Sequence, residues 1–231
     1  NCRSMVWGMT QPLSAPADLT LEEIRALLVP AIAANAAFDG WGKDAVIAAA
    51  QTCAVDSDLA QLAFDGGASG MIDAWFAHID AEMAQMLPPE KLGAMKIRDR
   101  ITALVEARMA IVAPNREALR RAAAILAMPQ NVALGARLAW RAADRMWRLA
   151  GDVATDFNHY TKRMTLGAVY TSTMAVLIND ESEGLAETRA FLSRRIDQVM
   201  QFEKWKAGWK TRTAHTPSLT RFISRLRYPV R

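Results

Sequence analysis

No stretch of this chain alternates polar and apolar residues over a useful length, whereas apolar residues recur at three- and four-residue spacing almost throughout. That periodicity confines it to helices. A strand turns successive side chains to opposite faces, while a helix returns to one face every ~3.6 residues. The Ala- and Leu-rich composition, with only 12 Gly in 231 residues, agrees with an all-α fold. A chain of this length can bury a substantial core, as one large domain or as a small domain joined to a larger one.

Punctuation residues divide the pattern. Residues 1–19, with Pro12 and Pro16, read as a loose arm. Thr20-Leu-Glu-Glu23 forms a capping box that opens a helix to about Phe38, and Pro30 is expected to kink it. A short helix over 43–53, a turn, a helix over 58–64 and a longer one over 71–86 follow, the last stopped by Pro88-Pro89. Gly66-Gly-Ala-Ser-Gly70 reads as a turn, since no strand precedes it and no Lys follows to make a phosphate loop. Three helices with a tight turn between the second and third give a helix-turn-helix outline over 20–90. The order resembles the N-terminal module of TetR-type regulators: Phe38-Asp-Gly-Trp41 closes the first helix, and Leu59 to Phe64 falls on the recognition helix.

Charge argues against DNA as the partner of that module. Residues 1–90 hold three basic residues against twelve acidic, and residues 91–231 hold 25 basic against 12 acidic. A DNA-reading helix needs Lys, Arg or polar tips aimed at phosphates and base edges. Here the corresponding stretch offers Asp56, Ser57, Asp58 and Gln61, followed by Asp65. No nucleic-acid partner is expected.

Helices are expected over 91–112, 116–128, 131–150, 157–178 and 185–206, and the four long ones make a helical bundle over 91–210. The stretch Gly151 to Met164 packs charged, aromatic and amide residues into the start of one of them. Thr155 and Asp156 are good N-cap residues for a helix running to about Ile178. On that reading Asn158, His159, Lys162 and Arg163 lie on a mostly outward face and Tyr160 turns inward. Tyr160, Met164, Gly167, Tyr170, Met174 and Leu177 share one side. The longest uncharged run, Met164–Asn179, is 16 residues. That is short of the ~20 needed to span a bilayer, so a buried helix is expected. Thr211 to Pro217 reads as a connector within a terminal segment over 211–231.

Catalytic chemistry finds no constellation. Asp156 and His159 have the carboxylate-x-x-His spacing of di-iron bundles, but such a site needs a second pair, and His78 and His215 follow Trp75 and Arg212 at that spacing. No metal, cofactor or catalytic residue is expected. Cys2 and Cys53 make neither a disulfide framework nor a zinc site, which points to a reducing compartment.

Asp152, Thr155-Asp-Phe-Asn158, Tyr160-Thr161 and Arg163, followed by the Gly-Ala-Val-Tyr-Thr-Ser-Thr helix and preceded by Ala142-Ala-Asp-Arg-Met-Trp147, resemble the ubiquinone-biosynthesis accessory protein family. In words, this is the coenzyme Q biosynthesis protein nine family, and the resemblance spans roughly residues 20–210. It implies a TetR-like fold that binds lipid rather than DNA. It also implies presentation of isoprenoid quinone intermediates to the demethoxyubiquinone hydroxylase, and membrane association through a C-terminal amphipathic helix. By motif position, the hydroxylase-binding patch would comprise Asp156, Asn158, His159, Tyr160 and Arg163. Eukaryotic members carry Trp where this chain has His159.

The apolar positions Met109, Met128, Met146, Trp147, Met164, Tyr170 and Met174 suit an ordinary core, and flexible Met side chains equally suit an adaptable cavity. With the resemblance, Met146, Trp147, Met164, Tyr170 and Met174 become the expected lipid-binding set, for an isoprenoid quinone or a phospholipid. Near the end, Leu219, Phe222, Ile223 and Leu226 occupy i, i+3, i+4 and i+7, with Arg221 and Arg225 mostly off that face. This is the pattern of an interfacial membrane helix. The expected location is peripheral on the inner membrane, from the cytoplasm or, in a eukaryote, the mitochondrial matrix. A second copy of the chain is an expected partner. The alternative reading is a TetR-type ligand-responsive transcription regulator.

Overall fold

The computed structural model describes residues 19–152 and the backbone of 157–214, with side chains over 159–201 in the latter stretch. The described residues form ten α-helices and no strand.

Helix α1 (Leu21–Asp39) begins as its sequence dictates. Thr20 Oγ1 accepts from the Glu23 amide at 3.3 Å, and the Glu23 carboxylate accepts from the Thr20 amide at 2.8 Å. Pro30 lies inside this helix. Gly40, at φ 75°, ends it and delivers Trp41 into the interior. The Trp41 indole N–H donates to the Ala118 carbonyl at 3.0 Å, and its ring sits 5.3 Å from that of Trp75. One aromatic residue thus ties the front of the chain to α4 (Gly67–Met86) and α7 (Arg116–Leu126).

Helices α2 (Lys43–Cys53) and α3 (Ser57–Ala63) complete the helix-turn-helix outline. Asp56 caps α3 by accepting from the amides of Asp58 and Leu59 at 2.9 and 3.0 Å. Asp56, Asp58 and Asp65 are exposed around it, and Leu62 is 55% exposed. The phosphate repulsion inferred from the sequence therefore has its acidic groups at the surface.

Two boundaries differ from expectation. Gly67 to Gly70 are not a turn but the first turn of α4, whose N-cap is Gly66. The helix expected over 91–112 is two, α5 (Pro89–Gly93) and α6 (Ile97–Val112). Arg100 explains how the break is tolerated: its guanidinium donates to the carbonyls of Met95 at 2.9 Å and Gly93 at 3.2 Å, oxygens that a continuous helix would have satisfied.

Helices α8 (Val132–Leu149) and α9 (Phe157–Leu177) pack against each other, and α4 packs on α6 and α8. Gly167 faces α8 at this contact, and a Cβ there would meet the Ala139 carbonyl oxygen at 3.7 Å, an ordinary van der Waals distance. Helix α10 (Ala186–Ala214) carries on through Thr211 to Ala214, which the sequence reading had as connector. The chain divides into two compact units inside α10, one ending at Leu192 and one beginning at Ser193. Among the described residues, no helix is long and apolar enough to cross a membrane.

Candidate functional site

The link from α8 to α9 is built on a glycine. Gly151 has φ +89°, a left-handed conformation that L side chains rarely adopt, and a Cβ there would meet Arg100 Nη1 at 3.3 Å. Arg100 holds that place because it donates to the Ala150 carbonyl at 2.8 Å, satisfying an oxygen at the end of α8. The backbone turn then aims Asp152 inward.

Asp152 meets two cations from the first turns of α9. Lys162 Nζ donates to one carboxylate oxygen at 2.7 Å and Arg163 Nη1 to the other at 3.1 Å. Arg163 Nε also donates to Asp144 of α8 at 2.6 Å, and Nη1 donates to the His159 carbonyl at 3.1 Å. Burial pushes the Asp152 carboxyl upward, but hydrogen bonds and charge from Lys162 and Arg163 more than offset it, holding it below the usual carboxylate range. The Trp147 indole donates to the Lys162 carbonyl at 3.0 Å, and the Lys162 ammonium lies 5.2 Å from the Trp147 ring centroid.

This brace sets the rotation of α9 and overturns its expected phase. Arg163, read as outward and as part of a partner surface, is 2% exposed, whereas Tyr160, read as inward, is 57% exposed. The two carboxylates hold Arg163 under the helix, while Tyr160, in its first turn, lies at the surface. Met164 goes with it, 68% exposed, and so does not share a buried side with Tyr170 and Met174. Of the expected lipid-binding residues, Met146, Tyr170 and Met174 are buried, Trp147 is half-buried and Met164 lies at the surface.

What reaches the surface is an aromatic cluster. The Tyr160 ring lies 5.2 Å edge-on from His159 and 6.0 Å from Trp140 of α8, and His159 is 6.4 Å from Trp140. Trp140 escaped the sequence reading. Its signal was its place seven residues before Trp147, on the same face of one helix. Asp156, the Asn158 side chain and the tail residues Leu219, Arg221, Phe222, Ile223, Arg225 and Leu226 lie outside the described residues.

A second polar constellation lies deeper. Arg108 of α6 is wholly buried, pairs with Asp80 of α4 through Nη1, and donates from Nη2 to the Tyr170 hydroxyl at 3.1 Å. Its guanidinium carbon stacks 4.7 Å from the Tyr170 ring centroid. Burial works against the charge, and Tyr170 and Asp80 more than offset it, so the group stays protonated at every accessible pH. Arg141 of α8 extends the network, 3.4 Å from Asp80 and bonded to Asp73. Arg108 Nε has no hydrogen-bond partner among the described residues. A buried donor left so costs roughly 1–3 kcal/mol. The sequence did carry a signal for Arg108: it interrupts the apolar stripe of Ile101, Leu104, Val105 and Val112 at a position where α6 faces inward. These groups bind acceptors; a guanidinium held in its charged form is no base.

Comparison with known proteins places this arrangement. The COQ9 family model matches residues 132–203, the span that holds both the brace and the aromatic cluster. The rat protein named "Ubiquinone biosynthesis protein COQ9, mitochondrial" is 33% identical over 168 residues, covering 70% of this chain and 54% of the relative. The human protein of the same name is 32% identical, covering 70% of this chain and 52% of the relative. The chain therefore spans about half the length of the curated relatives it matches. Among solved structures, a TetR transcriptional regulator from Nitrosomonas europaea superposes with a TM-score of 0.62 at 22% identity, covering 78% of this chain and 99% of that one. That likeness establishes the TetR-like fold alone.

Proposed function

This chain belongs to the COQ9 family, and from that premise we propose that it is a non-catalytic lipid-binding accessory protein of ubiquinone biosynthesis. It holds an isoprenoid quinone intermediate at the membrane surface and presents it to the demethoxyubiquinone hydroxylase. The observation that carries this reading is the surface made by Trp140, His159 and Tyr160. Two rings from the start of α9 meet a third from α8, and buried ion pairs brace the two helices together. Aromatic residues on a rigid support are what a partner interface draws its affinity from.

In this reading Tyr160 and His159 make contact with the hydroxylase, and Arg163 acts from beneath by fixing the turn that presents them. Met146, Tyr170 and Met174 face the lipid. The basic segment over 218–228 contributes membrane contact, each cation near an anionic surface adding ~1 kcal/mol. The acidic surface around α3 speaks against the regulator reading, and a gel-shift assay at low salt tests that directly.

Quinone profiling of a deletion strain tests the whole proposal. A demethoxy intermediate should accumulate and ubiquinone should fall, and the full chain supplied in trans should reverse both. A normal quinone profile overturns the reading.

A further inference from the structure

We infer that the tip of the α7–α8 hairpin is a membrane contact, an apolar cap that sinks into the surface of an anionic bilayer. This contact rests on the membrane-surface reading above, but it lies on a different part of the chain from the segment over 218–228. Fifteen residues, Ala122 to Ala136, separate Arg121 from Arg137, and none of them is charged. They form the end of α7, a short 3-10 turn over Pro129–Asn131 and the start of α8. Met128 is 44% and Val132 54% exposed, and Ala127, Pro129 and Ala133 are exposed around them. A helix packed at one face carries polar residues on the other. Here the outward positions of two helices turn apolar at the end where they meet.

The turn is also built to leave water. The amides of Ala127 and Met128 donate to the Ala123 and Ile125 carbonyls at 2.9 and 3.2 Å, and the Asn131 amide donates to the Met128 carbonyl at 2.8 Å. Pro129 has no N–H to satisfy. The two polar side chains of the stretch bond within it: Asn131 Nδ2 donates to the Ile125 carbonyl at 2.9 Å, and Gln130 Nε2 to the Met128 sulfur at 3.5 Å. Open polar groups would oppose entry into lipid, and these are closed.

Cations ring the tip at head-group depth. Arg121 lies seven residues before Met128 and Arg137 seven residues after Gln130. At ~1.5 Å per residue each stands about 10 Å up its helix, and interfacial helices sink roughly 5–10 Å. Arg120 and Arg121 share Glu117, and Arg137 and Arg141 share Asp73, so each helix brings two cations to one carboxylate. Arg120 also donates to the Ile178 carbonyl, toward the acidic turn that holds Glu181 and Glu183. That leaves Arg137, its side chain 67% exposed, as the cation best placed to meet a lipid phosphate. A protein partner fits this surface less well than a bilayer does. Its exposed residues are small or flexible, with no aromatic ring to anchor in a pocket, whereas lipid adapts to any shape.

The test compares the full chain on phosphatidylcholine vesicles and on vesicles of equal parts phosphatidylcholine and phosphatidylglycerol. Co-sedimentation reads affinity, and hydrogen–deuterium exchange reads which segment is covered. The mixed vesicles should slow exchange over 122–136 several-fold, and phosphatidylcholine alone should slow it less. Val132→Glu puts a carboxylate at the first position of α8, where the helix dipole favours it, so the fold is kept. It should weaken binding to the mixed vesicles about tenfold and abolish protection of the tip. Arg137→Gln should weaken it about fivefold, the equivalent of ~1 kcal/mol per cation near an anionic surface, with binding to phosphatidylcholine unchanged. Thermal melting checks both variants, and Ala133→Glu takes the place of Val132→Glu if that chain melts low. Native affinity in a folded glutamate variant overturns the contact. Protection confined to 218–231 overturns the tip and leaves the membrane contact of that segment standing. Protection of the tip that grows with protein concentration in the absence of vesicles assigns it to a second copy of the chain and overturns the lipid occupant. Binding to neither vesicle removes the membrane-surface reading and this contact together.

Discussion

Arg163 Nε stands 2.6 Å from a carboxylate oxygen of Asp144, so a residue in the second turn of α9 is bolted to the facing side of α8. The same guanidinium reaches Asp152 in the link between the two helices at 3.1 Å. One side chain therefore ties α9 to α8 and to Asp152 just beyond the end of α8. Replacing Arg163 with Leu leaves two carboxylates without their shared cation, and breaking a buried pair in this way costs about 3 kcal/mol. Urea unfolding of Arg163→Leu should show a loss of that size. Arg163→Lys, which keeps the charge but cannot reach both partners with a planar fork, should fall between the two.

Gly151 makes a sharper prediction about backbone. At φ +89° an alanine is strained, and its Cβ would press on the Arg100 guanidinium that caps α8. Gly151→Ala should cost about 1–2 kcal/mol, lowering Tm by about 4 °C in a chain of this length. An alanine variant melting with the native protein would mean that the turn relaxes without Arg100, and that the cap is dispensable.

These two positions show what was legible in the sequence and what was not. The capping box at Thr20, the cap at Asp56 and the ends of most helices are local signals, carried by residues within one turn of each other. The phase of α9 is not local. It depends on Arg163 finding Asp144, nineteen residues earlier, and an apolar-periodicity reading assigns an arginine to solvent by default. Arg108 is marked locally by its place in the apolar stripe of α6, but its partner Asp80, twenty-eight residues away, is not. The break at 94–96 was missed because Arg100 stabilises it from the following helix. Trp140 was passed over because its partners His159 and Tyr160 come from a different helix.

Asp180 predicts how stability depends on pH. It is buried at the turn before α10 and accepts from the amides of Ser182 and Thr188 at 2.9 Å each, with both hydroxyls donating as well. Hydrogen bonds from Ser182 and Thr188 outweigh burial and hold its carboxyl well below the usual range. A depressed folded-state pKa stabilises the fold above the unfolded value near ~4 and loses that contribution as pH falls toward the folded value. Urea midpoints should therefore drop between pH 5 and pH 2.5, the window being set by these pKa directions. Asp180→Asn should flatten that slope, and Asp180→Ala should cost about 2 kcal/mol at pH 7 through the lost cap.

The aromatic surface makes the last prediction, and it separates docking from folding. Tyr160 is 57% exposed and contributes no brace contact, so Tyr160→Ala should change stability by no more than about 0.5 kcal/mol. If the ring anchors the hydroxylase, the same change should weaken capture of that enzyme about 30-fold, the loss expected for a hot-spot aromatic worth 2 kcal/mol. His159 is the third corner of the cluster with Tyr160 and Trp140, and an indole there would add apolar area to it. His159→Trp should therefore tighten capture several-fold, since Trp is the residue most enriched at such anchors. Titration of the immobilised hydroxylase with native, Tyr160→Ala and His159→Trp chains reads both directions at once. Unchanged affinity in Tyr160→Ala would move the docking surface elsewhere on the molecule, while a tighter His159→Trp variant would place the partner against these three rings.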